Sequence, residues 1–407
     1  MRILLLTQWF DPEPTFKGLT FARALAARGH SVEVLTGFPN YPGGRVYDGY
    51  RMRWRQLEIL DGIRVVRVPL YPSHDGSVLR RALNYSSFAV SAAVLGTWSV
   101  SRPDVAYVYH PPGTIGLPAL ALRALRGIPF VYDIQDLWPD SVAASGMMSS
   151  LRMNRLLDAW CHLVYRGSNQ LVVLSPGFKR TLVARGVPEH KVHVIYNWCD
   201  ESSLVSSIAD PTMARELGLA GRFNVVFAGT MGKVQGLDAV LRAAQRLLHQ
   251  EPKVQFVFVG GGVEVEHLRQ TSTTLGLDNV KFLPRRPVIE IGGVLALADV
   301  LLVHLKDDPL FRITIPSKTQ AYMAVGRPIL MAMRGDAADL VREAGCGLCC
   351  EPEDPESIAT TVRRLVAMDH CALAAMGENG RKFYAKRLSL HVGVGHFDGV
   401  FRAAAGV

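Results

Sequence analysis

Short, almost wholly apolar runs alternate along this chain with longer segments whose apolar residues recur at helical spacing. Arg2 to Thr7 predicts a buried strand, Gly18 to Arg28 a helix, Gly29-His30 a turn and Ser31 to Thr36 the next strand. That is a βαβ unit, and it implies a parallel sheet. Val105 to Tyr109, Phe130 to Asp133, Gln170 to Leu174 and Val192 to Tyr196 predict further strands, closing the first half at Asn197. The stretch from Trp198 to Ala214 is polar and rich in turn residues, and the alternation then restarts. Strands are predicted over Asn224–Phe227, Val254–Val259, Val280–Leu283 and Val300–His304, with helices over Gly236–Leu248 and Leu268–Leu275.

The pattern predicts an α/β protein of two doubly wound domains. Residues 1–198 form the first domain, 199–214 a linker, 215–385 the second domain, and 386–407 a terminal segment that crosses back to the first. A chain of 407 residues is long enough for two cores of ordinary size. Doubly wound sheets bind ligands at the carboxyl ends of their strands, so a ligand cleft facing both domains is expected.

Composition narrows the class. The start, MRILLLTQWFDPEP, has one basic residue and no small-residue cleavage site, so it reads as a strand and not as a signal peptide. No run approaches the roughly 20 apolar residues a spanning helix needs. Of the six cysteines, Cys346, Cys349 and Cys350 form one CxxC without a second pair, and they read as small apolar fillers in a reducing cytosol. Residues 1–200 hold 22 Lys/Arg against 14 Asp/Glu, a net +8, so nearly all of the chain's +9 sits in the first half. Such a balance attracts nucleic acid, an anionic membrane or a pyrophosphate. No nucleic-acid-binding motif is present, which leaves the membrane and the pyrophosphate.

The most informative stretch is Leu310 to Leu330, LFRITIPSKTQAYMAVGRPIL. Pro316 suits the first turn of a helix, Thr319 to Val325 is helix-compatible, and Gly326 can end the helix in a left-handed cap before an apolar strand over Ile329–Met333. A helix N-terminus offers unpaired N–H groups and partial positive charge, and Ser317 and Lys318 beside it suit a diphosphate. The same residues also describe an ordinary helix–turn–strand connection. No GxxxxGK[ST] is present, and Gly260-Gly261-Gly262 is too short for a dinucleotide fingerprint.

QAYMAVGRPI and the PSK tripeptide before it resemble the donor-site helix of retaining glycosyltransferases of the GT-B architecture, in their fourth sequence family. The resemblance runs from the first strand to about Phe383. Within the family it points to a subgroup that builds bacterial surface polysaccharides, including N-acetyl-L-fucosamine transferases of O-antigen assembly. It implies two Rossmann-like domains and a nucleotide-sugar donor. Arg312 and Gln320 stand where the family has two glutamates, and both imply sugar or ribose contacts here. The turn VVFAGTMGKVQGL matches the family's glycine turn at Gly229, with Thr230 and Gln235 in place of the usual Arg and Lys; Lys233 and Lys318 could restore the lost charge. Phe282-Leu283-Pro284-Arg285 resembles the loop whose backbone, at Arg285, meets the nucleobase. His110, in YVYHPPG, matches the histidine beside the transferred sugar, and Lys17-Gly18 matches in part the loop that closes over the donor phosphates, with Lys17 implied as a sugar contact. In YDIQDLWPDS, Asp136 is implied as an acceptor-side base, while Asp140 suits capping of the helix that follows.

The resemblance thus implies transfer of a sugar, an N-acetylated amino sugar such as N-acetyl-L-fucosamine, from a UDP donor to an undecaprenyl-pyrophosphate-linked acceptor. No cofactor and no metal are expected. A nucleotide-sugar 2-epimerase and a non-catalytic binder of lipid-linked sugar are the alternatives. Residues 78–100, with Arg80-Arg81 ahead of an apolar segment ending near Trp98, read either as a buried helix or as one that docks on an anionic membrane surface. The expected location is the cytoplasm, peripheral on the inner face of the membrane.

Overall fold

A computed structural model describes residues 1–74, 77–141, 151–204 and 209–407. The chain divides into two compact units, Met1–Ile195 with Val394–Val407, and Tyr196–Gly393. Each is built on a largely parallel sheet with helices, the α/β architecture of GT-B enzymes.

The first unit carries β1 (Arg2–Leu6), β2 (Ser31–Gly37), β3 (Gln56–Leu60), β4 (Ile63–Val68), β5 (Val105–His110), β6 (Phe130–Ile134), β7 (Gln170–Val173) and β8 (Val192–Val194). They lie in the order β3-β4-β2-β1-β5-β6-β7-β8. Only β3 runs antiparallel to its neighbour, β4. Asp61-Gly62 makes that hairpin, with φ of 46° and 79° at its two residues. An Asp-Gly pair between apolar runs is a strong hairpin signal, because both turn residues need positive φ. The alternation described above passed over it. Arg67 on β4 is fully buried, yet its donors are met by the Gly37 and Asp11 carbonyls and the Glu58 carboxylate. A buried guanidinium is tolerable only when so satisfied.

The second unit carries β9 (Phe223–Thr230), β10 (Val254–Gly261), β11 (Val280–Leu283), β12 (Val300–His304), β13 (Ile329–Ala332) and β14 (Gly347–Cys350). Their order is β11-β10-β9-β12-β13-β14, parallel throughout. Helices cover both faces, so successive strand residues are buried alike, which is why these strands read as continuous apolar runs. Leu301 and Val303 face one core and Val300 and Leu302 the other.

The expected linker over 199–214 is corrected. It lies within the second unit and carries short helices at Glu201–Leu204 and Pro211–Glu216, although 205–208 lie outside the described residues. Tyr384 fixes its start, its hydroxyl accepting from the Cys199 N–H at 3.1 Å and donating to Glu201 at 2.8 Å. The last helix, Leu390–Ala405, begins in the second unit and belongs to the first from Val394 onward. There Phe397 packs on Phe21 and Tyr107 at ring separations of 5.2 and 5.6 Å. Among the described residues no helix is long and apolar enough to cross a membrane.

Candidate active site

A doubly wound sheet opens a crevice where successive connections depart to opposite sides. In the second unit that point falls between β9 and β12, and their paired register covers only Val225–Val300 and Val226–Leu301. Beyond it, β9 stays with β10 through Gly229–Gly260 and Thr230–Gly261. Gly229 and Gly260 have φ of 136° and 140°, and a Cβ on Gly260 would sit 2.1 Å from the Gly229 carbonyl oxygen. Only glycine fits there, so backbone itself walls the crevice. A cavity of about 540 Å³ occupies it, lined by Gly229, Gly261, Arg285, Ile291, Lys318 and Tyr322 among others.

The helix expected at the donor site spans Ser317–Val325 and ends at Gly326 with φ of 76°, a left-handed cap as its glycine requires. Pro316 is not in the first turn; with φ −60° and ψ 136° it is the N-cap residue, and no side chain caps the helix. The N–H groups of Ser317 and Lys318 therefore remain open to an anion, while that of Thr319 donates to the Pro316 carbonyl at 2.8 Å. Tyr322 pins the helix to the strand end, its hydroxyl accepting from the Ala228 N–H at 2.9 Å and donating to the Ala228 carbonyl at 3.2 Å.

Lys318 is the centre of this site. Its Nζ is shielded from solvent, has no hydrogen-bond partner, and stands 3.5 Å from the centroid of the Phe227 ring. Burial pushes its pKa down to about 7. A desolvated cation held only by a ring face is incomplete without an anion. Ser317 is exposed at the same helix end, and Arg285 is exposed on the cavity rim.

Other expected donor contacts fall elsewhere. Gln320 is buried; with its amide nitrogen toward the helix start it donates to the Pro316 and Ser317 carbonyls at 2.9 and 3.2 Å, so it serves its own helix and not a ribose. Arg312 is exposed and forks onto Asp307 at 2.7 and 2.9 Å, away from the cavity lining. Gln235 caps its own turn, accepting from the Gly232 N–H at 2.9 Å. Lys233 is exposed on that turn and is not part of the cavity wall. The turn is braced by His304, a residue the sequence reading passed over. Its Nδ1 donates to the Gln235 carbonyl at 2.6 Å while Nε2 accepts from the Glu353 N–H at 3.1 Å. That pairing fits one neutral tautomer, in keeping with the lowering of its pKa by burial. The available signal was its place at the end of an apolar strand.

In the first unit the corresponding point lies between β1 and β5. His110 ends β5, is 3% exposed, and has an Nδ1 with no partner. Its ring meets Trp138 edge-on at 5.4 Å, and burial pushes its pKa down to about 3. It is a neutral hydrogen-bonding group. Asp136 stands after β6 with part of its surface exposed, and partial desolvation raises its carboxyl above the usual range. Asp140 pairs with Arg185, and residues 142–150, on which its expected capping role falls, lie outside the described residues.

Two expectations for the loop after β1 are corrected. Lys17 makes no open sugar contact: its Nζ is 2.5 Å from Asp133 Oδ2, both side chains wholly buried. Asp133 also accepts from Tyr107 Oη and Gln135 Nε2, each at 2.6 Å. At Gly18 the helix start is already taken, because the Asp11 carboxylate accepts from the Leu19 N–H at 2.7 Å. A Cβ on Gly18 would lie 2.2 Å from that carboxylate, so the glycine makes room for Asp11 rather than for a phosphate.

Residues 19–198 match the family described as glycosyl transferase 4-like domain, and residues 222–368 match glycosyl transferases group 1. Both halves thus belong to glycosyl transferase families, and the chain is a glycosyltransferase of the GT-B type. It is 28% identical over 383 residues to WcaI of Escherichia coli K12, named as a colanic acid biosynthesis glycosyl transferase, covering 90% of this chain and 93% of that one. WbjE of Pseudomonas aeruginosa, named as a glycosyltransferase, is 25% identical over 81% of this chain and 82% of its own. In fold it is similar to Anabaena HepE, solved with UDP and glucose, at a TM-score of 0.69 and 18% identity over 98% of each chain.

Proposed function

We propose that this enzyme transfers a sugar, an N-acetylated amino sugar such as N-acetyl-L-fucosamine, from a UDP donor to a lipid-linked saccharide in bacterial surface-polysaccharide synthesis, with retention at the anomeric carbon. The observation that carries the reading is Lys318: a shielded ammonium without an anion, beside an uncapped helix N-terminus, in a cavity at a topological switch point. A nucleoside diphosphate supplies the missing charge. As the sugar–oxygen bond breaks, negative charge grows on the departing diphosphate, where Lys318 and the helix N–H groups stabilise it. Retention follows when the acceptor attacks the face the diphosphate leaves, a phosphate oxygen taking the acceptor's proton. The protein's part is then orientation and charge stabilisation. His110, neutral and with a free ring nitrogen, is the first unit's candidate for a sugar hydroxyl. The similarity to WcaI supports the surface-polysaccharide setting, and the amino sugar and lipid-linked acceptor are what the resemblance implies.

A thermal-shift screen of UDP-, GDP- and dTDP-sugars tests the donor, since a ligand of the folded state raises its melting temperature. UDP-sugars alone are expected to stabilise, and product is expected only when acceptor is added. UDP release with an altered sugar and no acceptor would instead mark an epimerase, and acceptor binding without turnover a non-catalytic binder.

A further inference from the structure

The segment at 78–100 carries apolar residues on both of its sides. Its inward residues, Phe88, Ala89, Ala92 and Gly96, are buried in the first unit's core. The outward residues Leu79, Leu83, Val90, Val94 and Trp98 recur at helical spacing and stand in solvent, with Leu79 70%, Val94 61% and Trp98 66% exposed. A surface helix whose solvent side is apolar is unfinished as it stands. Across a hollow of about 550 Å³ from Leu83, Val90 and Val94 lies Trp54, 81% exposed. Just beyond Trp54, the edge strand β3 turns Leu57 and Ile59 outward as well.

Basic residues accompany this apolar surface. Arg51, Arg53 and Arg55 alternate with exposed Met52 and Trp54, and no ion-pair partner meets any of the three among the described residues. Arg80 is exposed at the start of the helix. By contrast Glu58, the nearest carboxylate along β3, is committed to Arg67. Exposed tryptophans and aliphatic side chains flanked by the unpaired Arg51, Arg53 and Arg55 match the boundary of a bilayer with anionic headgroups, where the rings settle at the interface and the guanidiniums meet phosphate. A second copy of this chain fits less well. A twofold contact sets the same patch against itself, and that would bring like-charged arginines together.

We infer that the outer face of the Val78–Ser91 helix and its continuation to Trp98, together with the 51–59 strand edge, is the surface by which the enzyme docks on an anionic lipid bilayer. This resolves the two readings of 78–100 as one segment with two jobs. The inference deepens the lipid-linked-acceptor reading and rests on it for its purpose. Its test contains neither donor nor acceptor, so the two fail separately.

The full chain is sedimented with vesicles of phosphatidylcholine alone or with about 30% phosphatidylglycerol, at about 0.05 M and 0.5 M salt. It is expected to bind the anionic vesicles at low salt and to lose most of that binding at high salt. Removing Arg51, Arg53 and Arg55 together (each →Ser) is expected to weaken binding at least about tenfold. Leu79→Ser with Val90→Ser and Val94→Ser is expected to abolish it; Trp54→Ser serves if that triple variant melts below the parent. A control that removes the same charge from the second unit, Lys253→Ser with Arg364→Ser and Lys386→Ser, is expected to stay within about twofold of the parent. Equal binding to neutral vesicles, an apolar variant that binds like the parent, or a control as weak as the arginine variant would each overturn the assignment. So would a parent that is dimeric and binds no vesicles, with the apolar variant monomeric, since the face would then join two copies.

Discussion

Lys17 in the first unit and Lys318 in the second both hold an ammonium away from water, and they differ in what meets it. Lys17 has Asp133 at 2.5 Å, and Tyr107 and Gln135 complete that carboxylate's hydrogen bonds. Lys318 has a phenyl face and no anion. Burial costs each cation its hydration, and the protein restores the loss only at Lys17. The difference separates a lysine whose charge the fold itself meets from one whose charge it leaves without an anion. At Lys17-Gly18, where a loop closing over the donor phosphates was expected, a closed network is found instead.

The largest effect should come from breaking the closed pair. Asp133→Ala leaves Lys17 buried without its anion and is expected to lower unfolding free energy by about 3–5 kcal/mol, read from urea denaturation. Replacing both partners by apolar residues, Lys17→Met with Asp133→Leu, should recover much of that loss. If Asp133→Ala alone melts like the parent, the pair is not structural and the contrast with Lys318 fails.

Next comes the open lysine. Lys318→Ala is expected to cut turnover by about 10²-fold, the scale for removing one preorganised group from a developing charge. Its stability should equal or exceed the parent's, because no partner is orphaned and a poorly solvated cation is gone. Activity within a few-fold of the parent in the folded variant would remove Lys318 from the mechanism; a large drop in melting temperature would make it a structural residue like Lys17.

A titration sharpens the same contrast. Lys318 has a folded pKa of about 7, lowered from 10.5, so above pH 7 the free protein holds it neutral while the unfolded chain still binds the proton. Its unfavourable contribution to stability is therefore fully present below pH 7 and is relieved as pH rises from there. UDP reverses this by favouring the ammonium. Binding at about pH 8 should take up close to one proton, and affinity should weaken by up to about tenfold per pH unit above 7. Calorimetry in buffers of different ionisation enthalpy measures the uptake. Lys318→Ala should abolish it, and uptake unchanged in that variant would assign the proton elsewhere.

The two sheets and the helix Ser317–Val325 were legible because each writes a local signal: apolar runs for strands buried on both faces, and a glycine where a left-handed residue ends the helix at 326. The 61–62 hairpin had its Asp-Gly signal too, and it was eclipsed by the parallel pattern around it. What could not be read was partnership across distance. Nothing near Lys17 in the chain announces Asp133, and nothing near Gly18 says that Asp11 fills the helix start. Gln320 and Arg312 occupy the family's glutamate positions, yet one turns back on its own helix and the other onto Asp307. The resemblance supplied their positions; side-chain direction came only with the fold. His304 was missed for the same reason, since the carbonyl and N–H that fix it come from residues 235 and 353.

The smallest effect concerns the two strand-ending histidines, which repeat the contrast between closed and open groups in neutral form. Both nitrogens of His304 are occupied by backbone, whereas Nδ1 of His110 is unpartnered. If His110 gives one neutral hydrogen bond to a sugar hydroxyl, His110→Phe should cost about 0.5–1.5 kcal/mol, roughly 2- to 12-fold in kcat/KM. Burial holds its pKa at about 3, down from 6.5, so it stays uncharged across the working range and the pH–rate profile between about 5 and 8 should keep its shape in the variant. The sign for stability is the reverse of a salt-bridged histidine's. Below pH 6.5 the unfolded chain binds a proton that the folded one refuses, so this residue makes the parent lose stability as pH falls from about 6.5 toward 3. His110→Phe removes that term, and its melting temperature should gain on the parent's as the solution is acidified. Imidazole NMR checks the premise directly: a His110 resonance that titrates near pH 6.5 would show a charged, accessible ring and end its reading as a neutral sugar contact.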